Sequence, residues 1–528
     1  MKNIIQTLLF AVAVITVATG CKKNFSDLNQ NSNKPTHVPP YLLVTGILND
    51  MYDEPAGDYE KWCQYFLINY DYYGNNRYDF GSGSNYYTTL KNVVKMEDEA
   101  RSTKMDAVNP YEAMAKFFKA YFFIKMSLQM GDIPMKEALK SIDNLTPVYD
   151  SQKEVFKQAF LWLDSANTDL GKLAAAGTSS LEGDIYLNGD LGKWQRVVNA
   201  FRLRLLIHLS KRTDDADLSV KSQFSTIITN PSKCPLMESA VNNLQYTYVY
   251  PSNPYPENPG GFGFNALREN CSATYVGLLT KLKDPRVYAT TEPASAIVAG
   301  GKSPTDFASF VGADPGEDLG AMYLKANAGQ YSLINRKRYY ETYTGEPSVQ
   351  IGYPEMCFNI AEAINRGWIT AGPKGETAED YYVAGIKASM TSYGIPETGT
   401  YTAYFLKSGS PGSSAVYSTY AVTIDFSTYY AQALVKYSGN NATGLTQILQ
   451  QRYLALFRHS GLESYYTYRR TGVPTFTVGA GTGNSQRIAW RFQYPSTEKT
   501  ANTANYTKAL QSQYSGNDDI NGVMWIVK

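Results

Sequence analysis

From Tyr111 to Met130 the stretch YEAMAKFFKAYFFIKMSLQM sets Met114, Phe117, Phe118, Tyr121 and Phe122 three and four residues apart. That is the period of a helix with one buried face. Gly131 closes it, and the residues after Pro134 predict a short second helix over Met135 to Ser141. Ser151-x-x-Glu154 is a capping-box pattern, which predicts a third helix running to about Leu173 with Trp162 and Leu163 on its apolar side. A fourth begins near Trp194, where Val197, Val198, Phe201, Leu205 and Leu209 form one stripe and Arg196, Arg202 and Arg204 fall largely off it. Four helices with short punctuation predict stacked hairpins. A similar pair recurs as Glu355 to Arg366, closed by Gly367, and Ala378 to Tyr393, closed by Gly394, with glycine supplying the C-terminal caps.

The small residues Ala361, Ala363, Ala384 and Ala388, together with Tyr381 and Tyr382, resemble tetratricopeptide packing without a fixed period of about 34 residues. The fold expected is therefore mostly all-α, built from helical hairpins, with long aromatic loops and minor β-structure. The loops lie in four places. Residues 70–87 (YDYYGNNRYDFGSGSNYY) mix seven aromatic rings with Gly, Asn and Asp, a composition that predicts an exposed loop. Residues 246–264 start with Tyr246, Tyr248 and Tyr250 alternating on a short strand and then break into a Pro/Gly run. Ser332 to Tyr343 carries Tyr339, Tyr340 and Tyr343 beside Arg336, Lys337 and Arg338, and residues 397–430 read as irregular.

Charge and composition remove several functions. Lys plus Arg number 49 against 48 acids, a net charge of +1, so the basic surplus expected of a nucleic-acid partner is missing. Only His37, His208 and His459 occur, far apart, which argues against a zinc site or a histidine-dependent hydrolase. No nucleophile elbow, P-loop or H-E-x-x-H is present. Asn517-x-Asp519-x-Asn521-Gly522 imitates the start of a calcium loop, but its twelfth position would be Lys528, so an EF-hand is excluded and an Asx-rich turn leading to a packed Trp525 is expected. No metal or cofactor is expected. Beyond Cys21, Cys63, Cys234, Cys271 and Cys357 allow two disulfides in three connectivities or four buried free thiols, and the second is favoured. What remains in excess is tyrosine, 43 residues of it. Aromatic faces flanked by Asn, Asp, Arg and Gly suit sugar rings and their hydroxyls, and the same inventory suits peptides.

The N-terminus reads as a processing signal. Lys2 is followed by an unbroken apolar run from Leu8 to Ile15 and then by Ala18-Thr19-Gly20-Cys21, too short to span a membrane. The ending resembles a bacterial lipobox, which implies removal of residues 1–20 and lipidation of Cys21, holding the protein at a membrane surface. Residues 21–40 are polar, Asn-rich and close on Pro39-Pro40, the composition of a tether. A single domain is expected over residues 41–528.

Ordered phrases along the mature chain carry a wider resemblance. They include Asp27-Leu28-Asn29, Trp62-x-Gln64-Tyr65-Phe66, Gly131-Asp132-Ile133-Pro134 with Glu137-Ala138-Leu139, and Leu145-Thr146-Pro147-x-Tyr149-Asp150. Further on come Gly189-Asp190-Leu191-x-Lys193-Trp194, Asp284-Pro285-Arg286, and Ala361-Glu362-Ala363 with Arg366-Gly367-Trp368. The most specific is Gly461-Leu462-Glu463 running into Arg469-Arg470-Thr471-Gly472-x-Pro474, followed by Arg491-x-x-Tyr494-Pro495. Together these resemble the SusD/RagB family of Bacteroidetes outer-membrane lipoproteins. The resemblance implies a helical nutrient-binding protein that binds without catalysis and lids a SusC-like TonB-dependent transporter. The ligand expected is an oligosaccharide; the alternatives are a peptide-binding member of the same family or, from another class, a lipid-anchored glycoside hydrolase. By position in the chain, the ligand contacts would come from Tyr72, Tyr73, Asn76, Arg77 and Tyr78 in the early loop and from Tyr248, Tyr250 and Tyr255 in the middle one. Glu463, Arg469 and Arg470 are expected to brace packed helices. Lys22-Lys23-Asn24 lacks the acidic pair often associated with surface export in these bacteria, so a cell-surface location is implied by the family alone.

Overall fold

The computed structural model describes residues 37–177, 179–263, 265–407 and 416–528. The predicted signal peptide, Cys21 and all but the last residues of the tether lie outside them. Nine helices carry the architecture: α1 (Pro40–Asn49), α2 (Tyr87–Ser102), α3 (Pro110–Met130), α4 (Gln152–Ala176), α5 (Leu191–His208), α6 (Tyr353–Asn365), α7 (Ala378–Ser392), α8 (Ala442–Ala455) and α9 (Glu463–Thr471). Each of α1 to α7 packs on the next, and α8 lies against α6 and α7. The step from α5 to α6 spans a long insertion, residues 209–352, made of short helices and loops. Within and around it lie the two-stranded antiparallel pairs of β1 (Phe66–Ile68) with β3 (Glu269–Cys271) and β2 (Leu244–Tyr246) with β4 (Ser348–Ile351).

The helix ends follow from local chemistry. Asn109 accepts a hydrogen bond from the Glu112 amide with Pro110 in the first turn, and Ser151 and Asp190 cap α4 and α5 in the same way. Gly131 stops α3 at φ +100°, where an added Cβ would lie 2.3 Å from the Gln513 amide oxygen. Helix α3 is buried on nearly every face, beyond the single stripe its period predicts. The four cysteines beyond Cys21 are free and buried, the favoured expectation.

Two predicted elements differ. Residues 135–141 form turns in place of a helix: the Asp150 carboxylate accepts from the Met135 and Lys136 amides at 3.0 and 2.8 Å, and Leu139 and Ser141 take positive φ. Residues 398–425, expected to be irregular, contain a long hairpin, β5 (Thr398–Leu406) with β6 (Tyr417–Asp425), whose Ala403, Phe405 and Ile424 point into the core. The Gly/Ser/Thr-rich composition hid an alternation of aromatic and β-branched residues that suits a half-buried ribbon.

The larger surprise is charge in the core. Arg202 and Arg204, expected off the apolar stripe, are both buried. Arg204 donates to Glu355 (Nε to Oε1, 2.7 Å) and to the Gln350 carbonyl (2.6 Å), and lies 3.7 Å from Glu463. Arg452 of α8 reaches the same two carboxylates at 2.9 and 3.3 Å, and His208 Nε2 lies 3.1 Å from Glu463. Beside this network Glu362 of α6 accepts from Arg470 of α9 (2.8 Å) and from Arg366 (2.7 Å). Burial would raise the Glu362 carboxyl, but Arg470 and Arg366 outweigh it and hold the group down at about 2. The expected brace at the start and end of α9 is present, with other partners than each other: Arg469 donates to the carbonyls of Leu128 and Trp490.

Removing one member of a buried pair strands its partner's charge. Glu362→Ala is expected to lose ~3–5 kcal/mol of stability, measured by urea unfolding. Arg366→Ala, which removes a half-buried partner and leaves the Arg470 pair intact, is expected to lose under ~1 kcal/mol. Equal losses would contradict the assignment of Arg470 as the essential partner.

Candidate functional site

The β1–β3 pair positions a group of aromatic side chains at the surface. Tyr70 follows β1 and Arg268 precedes β3, and the Asn69 amide donates to the Arg268 carbonyl at 3.0 Å. The Arg268 guanidinium sits 4.6 Å from the Tyr70 ring centre, a cation–π contact that fixes the ring from one side. Tyr323, on the helix Leu319–Asn327 that Asp318 caps, lies 5.6 Å from Tyr70 at 32°, and Tyr72 lies 6.5 Å from it at 33°. Tyr72 is 81% exposed, and Leu267 and Leu324 stand exposed in the same two segments. Two rings each within 7 Å of Tyr70, with exposed apolar neighbours, make a patch of the kind soluble proteins keep for binding.

The loop is held in this shape from below. Asn76 turns its amide onto Ile68, donating to its carbonyl at 2.8 Å and accepting from its N–H at 2.9 Å. Tyr78 is buried, its hydroxyl donating to the Trp62 carbonyl at 2.9 Å, and Phe80 stacks on Phe492 at 4.3 Å. The composition of residues 70–87 predicted an exposed loop, yet Asn76, Tyr78 and Phe80 are buried within it. Arg77 is exposed and pairs with Asp79. Tyr73 lies in the turn Asp71–Tyr73; its side chain is outside the described residues.

The middle loop divides in the same way. Tyr248 and Tyr255 are buried, the first bonded through its hydroxyl to Ser348 at 2.8 Å and both packed edge to face at 5.0 Å. Tyr255 lies under Gly345, where an added Cβ would come within 2.2 Å of the ring. Tyr250 is exposed and pairs with Tyr343 at 4.5 Å. Of the eight residues expected to contact a ligand, the structure groups Tyr72 with Tyr70, Tyr323 and Arg268, sets Tyr250 in a separate pair, and encloses Asn76, Tyr78, Tyr248 and Tyr255 away from solvent. Tyr323, Arg268 and Tyr343 were not anticipated. An exposed leucine beside a tyrosine in the segment AMYLKAN was the available signal.

Under this surface lies a cluster of buried acids. Arg458, fully buried, faces Glu257 and, at 3.9 Å, Glu60, while Tyr340 donates to Glu269 at 2.8 Å. Burial first, and Glu257 second, push the Glu269 carboxyl well above the ordinary range. Burial pushes Glu60 up to about 7 against the pull of Arg458 and His459. Glu269 belongs to β3, one residue from Arg268, so the cluster braces the strand that carries the site.

Among the described residues no group of His, Cys, Asp and Glu is placed to hold a metal ion, and no helix is long and apolar enough to cross a membrane. A helical scaffold with an exposed aromatic surface on braced loops defines a binding protein. A family model described as "Starch-binding associating with outer membrane", SusD-like, matches residues 32–495. Among solved structures, a SusD homologue from Bacteroides fragilis is 31% identical with a TM-score of 0.79, covering 93% of this chain and 100% of its own. A second from the same species is 29% identical with a TM-score of 0.76 over the same shares. A chitin-binding SusD homologue from Flavobacterium johnsoniae shares the fold at 20% identity and a TM-score of 0.68, over 93% of this chain and 98% of its own. Curated proteins give no match. The chain belongs to the SusD-like family of outer-membrane-associated nutrient-binding proteins.

The acid cluster sets a pH dependence. Between 4.5, the ordinary value, and about 7, folded Glu60 keeps a proton that the unfolded chain releases, so its contribution to stability falls as pH rises through that window. Thermal melting at pH 5 and pH 8 is expected to show a smaller drop in Glu60→Gln than in the native protein. An unchanged drop would place the titrating group elsewhere.

Proposed function

We propose that this protein captures an oligosaccharide or polysaccharide outside the cell on the Tyr70, Tyr72 and Tyr323 surface and delivers it to a SusC-like TonB-dependent transporter. The observation that carries the reading is the ring group itself, an exposed Tyr72 and a half-buried Tyr323 each within 7 Å of a half-buried Tyr70, braced by Arg268 and by the Asn76 clamp. The C–H face of a pyranose stacks on such rings, and the polar residues of the same loop offer partners for its hydroxyls. An open patch suits a polymer that enters from the side. The starch-binding description of the family and the chitin-binding relative support a glycan as the ligand class, and family members work with SusC-type transporters. Anchoring through a lipid on Cys21, with residues 22–40 as tether, would hold the domain at the outer membrane. The role is binding without turnover.

Affinity electrophoresis of the mature protein against a panel of plant, host and microbial polysaccharides tests this directly. Tyr72→Ala and Tyr323→Ala are each expected to weaken retardation about tenfold, ~1.4 kcal/mol, with no reducing sugar released. Tyr78→Phe, a change inside the core, is expected to bind as the native protein does. Retardation untouched by both surface substitutions would move the site, and sugar release would make the protein an enzyme. Cys21→Ala is expected to shift the protein from the membrane to the soluble fraction; its recovery with membranes would refute the lipid anchor.

A further inference from the structure

A second concave site shares no residue with the aromatic surface. Among β2, β4, the C-terminal end of α7 and the segment after α8 lies a cavity of about 320 Å³. Part of its lining is apolar, from Pro347, Val349, Pro354 and Leu456. The polar part of the lining comes from several separate stretches of chain: Asn243 and Gln245, Arg338, Glu346, Glu355, Ser392, and His459 with Ser460.

The two acids of this lining are both paired, Glu355 with Arg204 and Arg452 behind the wall and Glu346 with its own neighbours. Glu346 receives Arg338 on one oxygen at 2.5 Å and His459 Nε2 on the other. Arg338 is further held by the Ser392 and Tyr393 carbonyls, at 3.1 and 3.3 Å, and by the Tyr393 ring at 4.8 Å. Burial would raise the Glu346 carboxyl, but Arg338 and His459 outweigh it and keep the group at about 2. Glu346 is therefore ionised at neutral pH, and its charge is matched by that of Arg338. With both acids and Arg338 paired within the protein, the lining offers no unmatched carboxylate or guanidinium to a charged ligand.

The carboxamides are the uncommitted groups. Asn243 Oδ1 accepts from the Tyr353 amide at 2.8 Å, which fixes the side chain and leaves its NH₂ without a hydrogen bond among the described residues. Gln245, half-buried in β2, makes no side-chain hydrogen bond there at all. Amides that both donate and accept, beside apolar walls, complement a neutral ring carrying hydroxyl groups. The volume lies at the low end of the ~300–1,000 Å³ typical of small-molecule pockets, which is room for one such ring.

We propose that this cavity is a second binding site, for a single neutral sugar unit, held by Asn243 and Gln245 against the apolar wall of Val349 and Leu456. The unit is either a free monosaccharide or the end of a longer chain. The site is independent of the aromatic surface.

Histidine scarcity provides the probe. The chain has three histidines, and His459 alone lines the cavity, so ring NMR of histidine-labelled protein resolves one local reporter, assigned by its disappearance in His459→Gln. Glucose, galactose, mannose, xylose and N-acetylglucosamine, with their oligosaccharides, are titrated in turn. A saturable shift of the His459 signal with His208 unmoved is the expected result, retained in Tyr72→Ala with Tyr323→Ala and weakened at least tenfold in Gln245→Leu. A shift with monosaccharides assigns the free sugar, and a shift with oligosaccharides alone assigns a chain end. Gln245→Leu keeps side-chain size at a half-buried position, and an unchanged melting temperature separates lost binding from lost fold; if it fails to fold, Val349→Phe, which fills the cavity from its apolar side, takes its place. No saturable shift with any sugar, an unchanged affinity in the cavity variant, or loss of the shift in the tyrosine double variant would overturn the proposal. Because the tyrosine variants are scored separately, failure of the aromatic surface as a polysaccharide site leaves this result readable.

Discussion

The frame depends on charge sealed inside it. Glu355, Glu463, Arg204 and Arg452 come from four helices, α6, α9, α5 and α8, and meet with almost no access to water. Such groups are costly to bury and costlier to separate, so any slip of one helix along another strands an ion. Apolar packing alone tolerates many registers, since leucine against leucine is much the same a turn away. The ion network selects one. That selection matters most between α5 and α6, neighbours in space that are separated in the chain by the whole insertion 209–352.

With the frame fixed, the insertion sends Phe224, Ile227, Tyr275 and Leu279 into the core, and its outer loops, with the loop after β1, are fastened to that core at a few points. Their contacts are local and specific: the Asn76 clamp on Ile68, the Tyr78 hydroxyl on Trp62, the Glu269 and Arg458 cluster under β3. Each fastens one end of a loop and leaves its tip in solvent. Binding residues carried on loops over a rigid scaffold are the usual division of labour, and here the same tyrosine-rich segments supply both the fastening and the exposed rings.

That double use sets the limit of what could be read from the chain. Helices α3 to α7 were legible from local signals that differ between them: the period of Met114 to Phe122 and the stop at Gly131 for α3, the Ser151 cap for α4, the apolar stripe from Val197 for α5, and the stops at Gly367 and Gly394 for α6 and α7. Arg204 was misplaced because a charged residue off the apolar stripe normally faces water; its partners, Glu355 and Glu463, are more than 100 positions away and invisible to any local pattern. In the loops the residue type was right and the individual residue was not. Tyr72 and Tyr78 stand in near-identical composition, yet one is open and the other enclosed, because Trp62 and Thr482 close over Tyr78 from elsewhere in the chain. The β5–β6 ribbon was lost for the opposite reason, a composition that spoke for loop over an alternation that spoke for strand.

The tilt between the surface rings has a geometric consequence. Tyr72 and Tyr323 each lean by about a third of a right angle from the plane of Tyr70, by 33° and 32°. A straight, flat ribbon laid flush on the Tyr70 ring meets each of its two neighbours at that angle and not face to face. A strand that curls or winds from unit to unit can turn successive faces onto successive rings, so on the proposed reading of this surface the curvature of a polymer would bear on its fit before any hydroxyl does.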